Sequence, residues 1–164
     1  MSVAPVASVP AGALELAVDA AFASGGPLAR ADPHYVEREV QLRMALGVAQ
    51  AIAGRRALVV EAGTGVGKTF AYLVPTLLSG ARALISTATK SLQDQLFLRD
   101  LPRLRDALQL PSTVALLKGR ASYLCAHRLA QARQGAQLPD RWSMRALARI
   151  EQWAAVTASG DLAE

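Results

Sequence analysis

A short segment in the first half of the chain combines three glycines with a lysine and a threonine. It reads Ala62-Gly63-Thr64-Gly65-Val66-Gly67-Lys68-Thr69. Glycines let backbone amides converge on an anion without obstruction by side chains, and a lysine adds a mobile positive charge. A threonine hydroxyl can bind a magnesium ion that bridges phosphates. The segment therefore predicts a site for a nucleoside triphosphate, which we expect to be ATP, together with Mg²⁺.

The elements on either side of this loop have the order that a phosphate site needs. An apolar run at 57–60 predicts a short buried strand before the loop, and a helix is predicted over 68–79 after it. The positive end of that helix would point at the anion. We expect Lys68 to reach the β and γ phosphates and Thr69 to hold Mg²⁺.

Strands and helices alternate along the rest of the chain. Further strands are predicted at 83–86 and 113–117, and helices at 12–23, 34–53 and 90–98. This order is typical of an α/β protein with right-handed crossovers and a parallel sheet.

One face of the helix predicted at 34–53 carries apolar residues spaced by four. They are Val36, Val40, Met44, Val48 and Ile52. From 122 onwards the sequence predicts mostly helix, with an interruption at 135–139.

The charge balance is basic, with 18 Lys and Arg against 13 Asp and Glu and a net charge of +5. Such a balance fits a polyanionic partner, although an arginine-rich solvated surface explains it equally well. The single cysteine cannot form an internal disulfide, and no apolar run is long enough to span a membrane. We expect a cytoplasmic protein without a membrane partner.

Four stretches in this order resemble the DinG/YoaA-type DNA helicases of bacteria, which are iron–sulfur relatives of the XPD helicase within superfamily 2. The phosphate loop is one, in the variant with alanine at position 62 that is common in helicase motors. The others are Arg38-Glu39-Val40-Gln41-Leu42-Arg43-Met44, Ile85-Ser86-Thr87-Ala88-Thr89-Lys90-Ser91-Leu92-Gln93-Asp94-Gln95-Leu96 and Leu117-Lys118-Gly119-Arg120-Ala121-Ser122-Tyr123-Leu124-Cys125.

The resemblance implies a RecA-like P-loop NTPase domain with a parallel sheet, incomplete and preceded by N-terminal helices. Residues 1–33 are expected to form a leader and a helix. Residues 34–121 would be the first part of the ATP-binding domain, and 122–164 the start of a helical iron–sulfur insertion. The implied function is that of the N-terminal portion of an ATP-dependent 5′–3′ DNA helicase in DNA repair or replication.

The resemblance also assigns roles to individual residues. Gln41 would read adenine through its amide, with Arg38 shaping the site beside it. Thr87, Thr89 and Lys90 match a motif that touches single-stranded DNA. The same Ser-Thr-Ala-Thr-Lys stretch could also simply cap the following helix, and we expect it to do both.

Cys125 matches the first of four thiolates that hold an iron–sulfur cluster in this family. A cluster needs about four cysteines and the chain has one, so the resemblance places the cluster in a full-length parent only. His127 is expected to be structural or exposed.

No acidic box for water activation follows a predicted strand, and a second motor domain is lacking. We therefore expect the chain to be the N-terminal piece of a monomeric helicase that acts on single-stranded or forked DNA, and to bind nucleotide without turnover. Two alternatives remain open on the residues alone: a P-loop phosphotransferase such as a kinase, and a non-catalytic basic nucleic-acid-binding module.

Overall fold

The computed structural model of the chain describes residues 12–134 and 140–163. It divides into two compact units, one running to Leu116 and the other starting at Leu117. Within the described residues, no helix is both long enough and apolar enough to cross a membrane.

Six helices form the described part of the first unit. They are α1 (Ala13–Phe22), α2 (Pro27–Ala31), α3 (Glu39–Ala53), α4 (Lys68–Leu78), α5 (Lys90–Gln95) and α6 (Leu101–Leu108). The predicted helices at 12–23 and 68–79 are confirmed within one or two residues. The helix predicted at 34–53 begins only at Glu39, five residues later than expected.

The helical region predicted at 90–98 extends to Leu108, but its hydrogen-bonding pattern changes on the way. After α5 the chain forms a π-helical turn over Leu96–Asp100 and then enters α6. Pro102 has no N–H to donate four residues back, and its ring would crowd that carbonyl. The N–H of Leu101 donates instead to Leu96, five residues back, which is the π pattern.

The core of the first unit lies where α1, α3 and α4 pack together. Its fully buried side chains include Val18, Phe22, Ala45, Ala49, Ala71 and Leu73. The alanines of α3 and α4 allow the two helices to approach closely, because they carry only a methyl group.

The apolar face predicted for α3 is only partly confirmed. Met44 and Ile52 are partly buried and pack against the core, but Val36 and Val40 are exposed. The fully buried positions are Gln41, Ala45 and Ala49, one residue along from the predicted ones, because the close contact with α4 favours small side chains over valines.

Three segments predicted as strands are irregular and form no sheet. Residues 56–63, 81–87 and 110–119 have no regular strand pairing, and the described residues contain only an isolated antiparallel bridge between Tyr123 and Asp161. Val59 and Leu84 are 97% and 95% exposed, although a strand inside a parallel sheet would be covered on both faces. The parallel sheet is therefore not shown by the described part of the chain.

The second unit contains a 3₁₀ turn (Arg120–Ser122) and the helices α7 (Ala126–Gln134) and α8 (Arg141–Ala154). The predicted helical character of this region is confirmed, and the predicted interruption at 135–139 lies outside the described residues. Arg133 of α7 and Glu151 of α8 form an ion pair at 2.8 Å.

The end of the second unit returns to its beginning. Leu124 N donates to Gly160 O over 2.8 Å, and Leu162 N donates to Ser122 O over 2.9 Å. Next to these two hydrogen bonds, Lys118 Nζ lies 2.7 Å from Asp161 Oδ2, and both side chains are largely buried. The residues just before Cys125 are thereby fixed by a segment that follows α8.

Candidate nucleotide-binding site

The phosphate loop turns through two glycines with left-handed backbone angles. Gly65 has φ 77° and Gly67 has φ 84°, a region that residues with a Cβ rarely adopt. Helix α4 starts directly after Gly67, and its first helical hydrogen bond runs from Ala71 N to Gly67 O. The amides before Ala71 make no helical bond and face the loop end of the helix, which is the usual place for an anion.

Lys68 is folded back over the loop that it follows. Its Nζ donates to the carbonyl oxygens of Ala62 at 2.9 Å and Gly63 at 2.7 Å. The ammonium group is therefore held at the loop by two neutral acceptors. A phosphate entering the loop would offer it negatively charged oxygens instead, which would add attraction between opposite charges to the hydrogen bonds.

Gln41 contacts the loop from helix α3. Its Nε2 donates to Gly67 O over 2.9 Å, and the residue is only 7% exposed. A Cβ at Gly67 would overlap the Gln41 amide. Gly67 is thus required for two reasons, the backbone angle and the close approach of Gln41.

Arg38 makes a second connection to the loop. It is the residue just before α3, and its Nη1 donates to Gly65 O over 2.5 Å. Arg38 and Gln41 together attach the start of α3 to both left-handed glycines of the loop.

A cavity of about 400 Å³ lies where the start of α3 meets the loop. Its lining residues are Arg38, Glu39, Val40, Thr64, Gly65 and Val66. All six residues belong to the two sequence stretches 38–44 and 62–69, so the structure brings those two stretches together.

Thr69 is half-buried in the first turn of α4, one turn before Tyr72. Burial raises the pKa of the Tyr72 phenol, the nearby Thr69 hydroxyl opposes this, and the charge of Asp100 adds to the rise. Tyr72 was not among the predicted site residues. Its position three residues after Thr69 on a helix is the sequence signal that could have identified it.

The predicted DNA-contacting residues lie together in the turn before α5. Thr89 Oγ1 accepts from Leu92 N at 3.2 Å and caps the helix, while Thr87 Oγ1 donates to Thr89 O at 3.1 Å. Lys90 is exposed at the first position of α5. The predicted capping role is confirmed, and the Thr89 hydroxyl is the group that caps the helix.

Cys125 is exposed immediately before α7, and its carbonyl oxygen accepts from Leu129 N at 2.9 Å. Across residues 12–134 and 140–163, no three His, Cys, Asp or Glu side chains are grouped closely enough to hold a metal. The described residues therefore do not fit an iron–sulfur cluster, which needs about four ligands. His127 is exposed, as expected.

The sequence of the chain is similar to those of known proteins. Residues 43–139 match the model of the DEAD/DEAH box helicase family. The "ATP-dependent DNA helicase YoaA" of Haemophilus influenzae is 46% identical over 143 residues, which is 87% of this chain and 22% of that protein. The YoaA of Escherichia coli is 48% identical over 142 residues, covering 86% of this chain and 22% of the relative. The "3'-5' exonuclease DinG" of Bacillus subtilis is 35% identical over 137 residues, 80% of this chain and 14% of the relative.

Proposed function

The chain belongs to the DEAD/DEAH box helicase family, and from this premise we propose that it is the N-terminal ATP-binding portion of an ATP-dependent DNA helicase. The family implies a RecA-like α/β fold. The chain spans about a fifth of the length of the YoaA relatives it matches. The family match favours the helicase over the phosphotransferase alternative.

The observation that carries the proposal is the double attachment of the loop to α3. Arg38 donates to Gly65 O and Gln41 donates to Gly67 O. The stretch proposed to select adenine and the phosphate loop would therefore form one site. Lys68 would exchange its two carbonyl partners for the β and γ phosphates, and Thr69 would turn its hydroxyl to Mg²⁺. The remaining loop residues, Ala62, Gly63, Thr64 and Val66, would contribute backbone contacts.

Gln41 would serve the loop and the base at once. One N–H of its amide is used by Gly67 O, which leaves the second N–H and the oxygen. These two groups can donate to adenine N7 and accept from the adenine N6 amino group. Guanine has an oxygen at the second position, so the same amide would discriminate against it.

The irregular segments 56–63, 81–87 and 110–119 would be strands of a parallel sheet completed by the rest of the parent protein. Their exposed apolar side chains support this, because Val59, Leu84 and Leu117 would be covered in a complete sheet. The rest of the parent would also supply the acidic motif and the second motor domain. The chain alone would then bind ATP and Mg²⁺ without hydrolysing ATP.

For the parent we propose 5′–3′ DNA unwinding in repair or replication, with single-stranded or forked DNA as the partner, by a cytoplasmic, monomeric enzyme with no membrane partner. Thr87, Thr89 and Lys90 would contact the DNA backbone. Cys125 would be the first of four ligands of an iron–sulfur cluster in the full-length protein only.

A binding assay with a fluorescent ATP analogue tests the nucleotide site. Lys68→Ala is expected to lower the affinity at least tenfold, because it removes the positive charge from the phosphates. Arg82→Ala is the matched control, since it removes an exposed positive charge outside the loop and should leave the affinity unchanged. Equal affinities of wild type and Lys68→Ala would contradict the proposal.

A further inference from the structure

Helix α8 carries three arginines on one outward face. Arg141, Arg145 and Arg149 are spaced by four residues, and all three are exposed. At 3.6 residues per turn they fall within an arc of about 80° and rise about 6 Å from one to the next. Within residues 12–134 and 140–163, none of the three forms an ion pair. They present a continuous row of unneutralised positive charge.

The other side of α8 is occupied by its contact with α7. Glu151 lies about 120° from the centre of the arginine row, and it pairs with Arg133 of α7 at 2.8 Å. Leu147 lies on the same side and is half-buried. The arginine row is therefore the face that α7 leaves to solvent.

Trp142 borders the arginine row. It lies about 20° beyond Arg149 around the helix and is 78% exposed. The guanidinium carbon of Arg145 lies over its ring, 5.9 Å from the ring centre. Arg145 occupies one face of the indole, and the high exposure leaves the opposite face open. An exposed tryptophan next to a row of cations is an unusual surface, because large aromatic side chains are normally at least partly covered.

We propose that the arginine row and Trp142 together form a contact site for single-stranded nucleic acid. The guanidinium groups would follow consecutive phosphates, and an unpaired base would stack on the open face of Trp142. This inference rests on the proposed DNA-helicase function and adds to it a contact site in the second unit, separate from Thr87, Thr89 and Lys90.

The position of Trp142 favours this ligand over two other polyanions. On a membrane-surface helix the aromatic residues lie on the face opposite the basic residues, whereas Trp142 adjoins the arginines. An acidic protein segment would neutralise the arginines, but its carboxylates offer no flat surface to stack on the indole. Single-stranded nucleic acid supplies both the phosphates and the exposed bases.

The intrinsic fluorescence of the full chain can report this contact. Its two tryptophans, Trp142 and Trp153, both lie in α8. In the Trp153→Phe variant the tryptophan emission comes from Trp142 alone. Adding oligo(dT) is expected to quench it, and Trp142→Ala in the wild-type background should weaken binding about tenfold through loss of stacking.

Salt dependence tests the arginine row separately. Replacing Arg141, Arg145 and Arg149 by glutamine should make the slope of log affinity against log salt shallower by about 2, because three single-strand phosphate contacts are lost. The matched control replaces three exposed arginines of the first unit, Arg55, Arg56 and Arg82, by glutamine. An equal effect of the control would overturn the proposal, since binding would then follow total charge alone.

Two further probes decide the class of ligand. Polyglutamate and vesicles of phosphatidylglycerol are expected to leave Trp142 emission unchanged at the salt concentration at which oligo(dT) quenches it. A response to either probe without a response to oligo(dT) would overturn the proposal. If the chain binds ATP while oligo(dT) leaves Trp142 unaffected, this inference is wrong and the nucleotide site stands. Quenching by oligo(dT) without ATP binding would mean that the nucleotide site is wrong and the contact site on α8 stands.

Discussion

The side-chain amide of Gln41 donates to the carbonyl oxygen of Gly67 over 2.9 Å, across 26 residues of sequence. This hydrogen bond joins helix α3 to the last residue of the phosphate loop. With Gln41 buried and Gly67 in a left-handed conformation, neither residue can change without affecting the other. The loop is therefore shaped by α3 as well as by its own glycines.

Gly67→Ala should disrupt the phosphate loop strongly, although it adds only one methyl group. The left-handed conformation costs a residue with a Cβ about 1–2 kcal/mol, and the new methyl group would overlap the Gln41 amide. We expect the affinity for ATP to fall at least tenfold in an equilibrium titration.

Gly47→Ala is the control for that substitution. Gly47 lies inside α3, and an added Cβ would meet only Leu58 Cδ2 at the ordinary distance of 3.8 Å. Alanine favours helix over glycine by about 1 kcal/mol, so stability should rise and ATP affinity should stay the same. Equal losses of affinity in the two variants would contradict the role given to Gly67.

Gln41→Ala should reduce both affinity and base selectivity. It removes the bond to Gly67 O and the two groups proposed to read adenine. Loss of hydrogen bonds worth about 1 kcal/mol each predicts a fall in ATP affinity of roughly five- to thirtyfold. GTP affinity should fall less, because guanine does not match the amide. An unchanged ratio of ATP to GTP affinity would show that Gln41 serves the loop only.

The buried ion pair between Lys118 and Asp161 should stabilise the second unit strongly. Their side chains are only 6% and 13% exposed. Removing one partner of a buried ion pair costs about 3 kcal/mol, because the remaining charge stays out of water. Asp161→Ala should therefore increase hydrogen exchange at the amides of Leu124 and Leu162, which bridge the two ends of the unit.

The more exposed pair of Arg133 and Glu151 provides the comparison for Asp161→Ala. The Arg133 side chain is 69% exposed, so solvent screens the pair, and its loss should cost only a few tenths of a kcal/mol. If Arg133→Ala raised the hydrogen-exchange rates as much as Asp161→Ala does, the buried pair would not stabilise the unit more than the exposed one.

Helix α8 should lose helicity at acidic pH. The backbone N–H of Ser143 donates to the Asp140 carboxylate at 2.7 Å, and this bond lowers the pKa of Asp140. Because the folded-state pKa is depressed, the stabilisation is present above the ordinary carboxyl pKa and is lost as the pH falls through the folded pKa. Circular dichroism of wild type and Asp140→Asn should diverge below about pH 4. A pH dependence that persists in Asp140→Asn must come from another group.

The sequence predicts the elements that depend on local pattern. Glycines, Lys68 and Thr69 define the loop and the start of α4, and Thr89 is recognisable as a helix cap from its position before Lys90. Cys125 is assigned by resemblance to a cluster that the described residues cannot hold.

Contacts between distant residues are not predictable in the same way. Arg38 donates to the backbone carbonyl of Gly65. Because every residue has such a carbonyl, the residue types do not indicate this hydrogen bond. The return of Asp161 to Lys118 spans 43 residues and involves two ordinary charged side chains. Periodicity places valines on the inner face of α3, because it measures hydropathy and not the space between α3 and α4.

The most direct test of the nucleotide site is a calorimetric titration of the wild-type chain with Mg·ATP, accompanied by a phosphate-release assay of the same sample. Saturable one-to-one binding at or below millimolar ATP, with no release of phosphate above the uncatalysed rate, is the predicted result. No binding at millimolar ATP would contradict the site, and steady phosphate release would contradict the expectation that this chain binds without turnover.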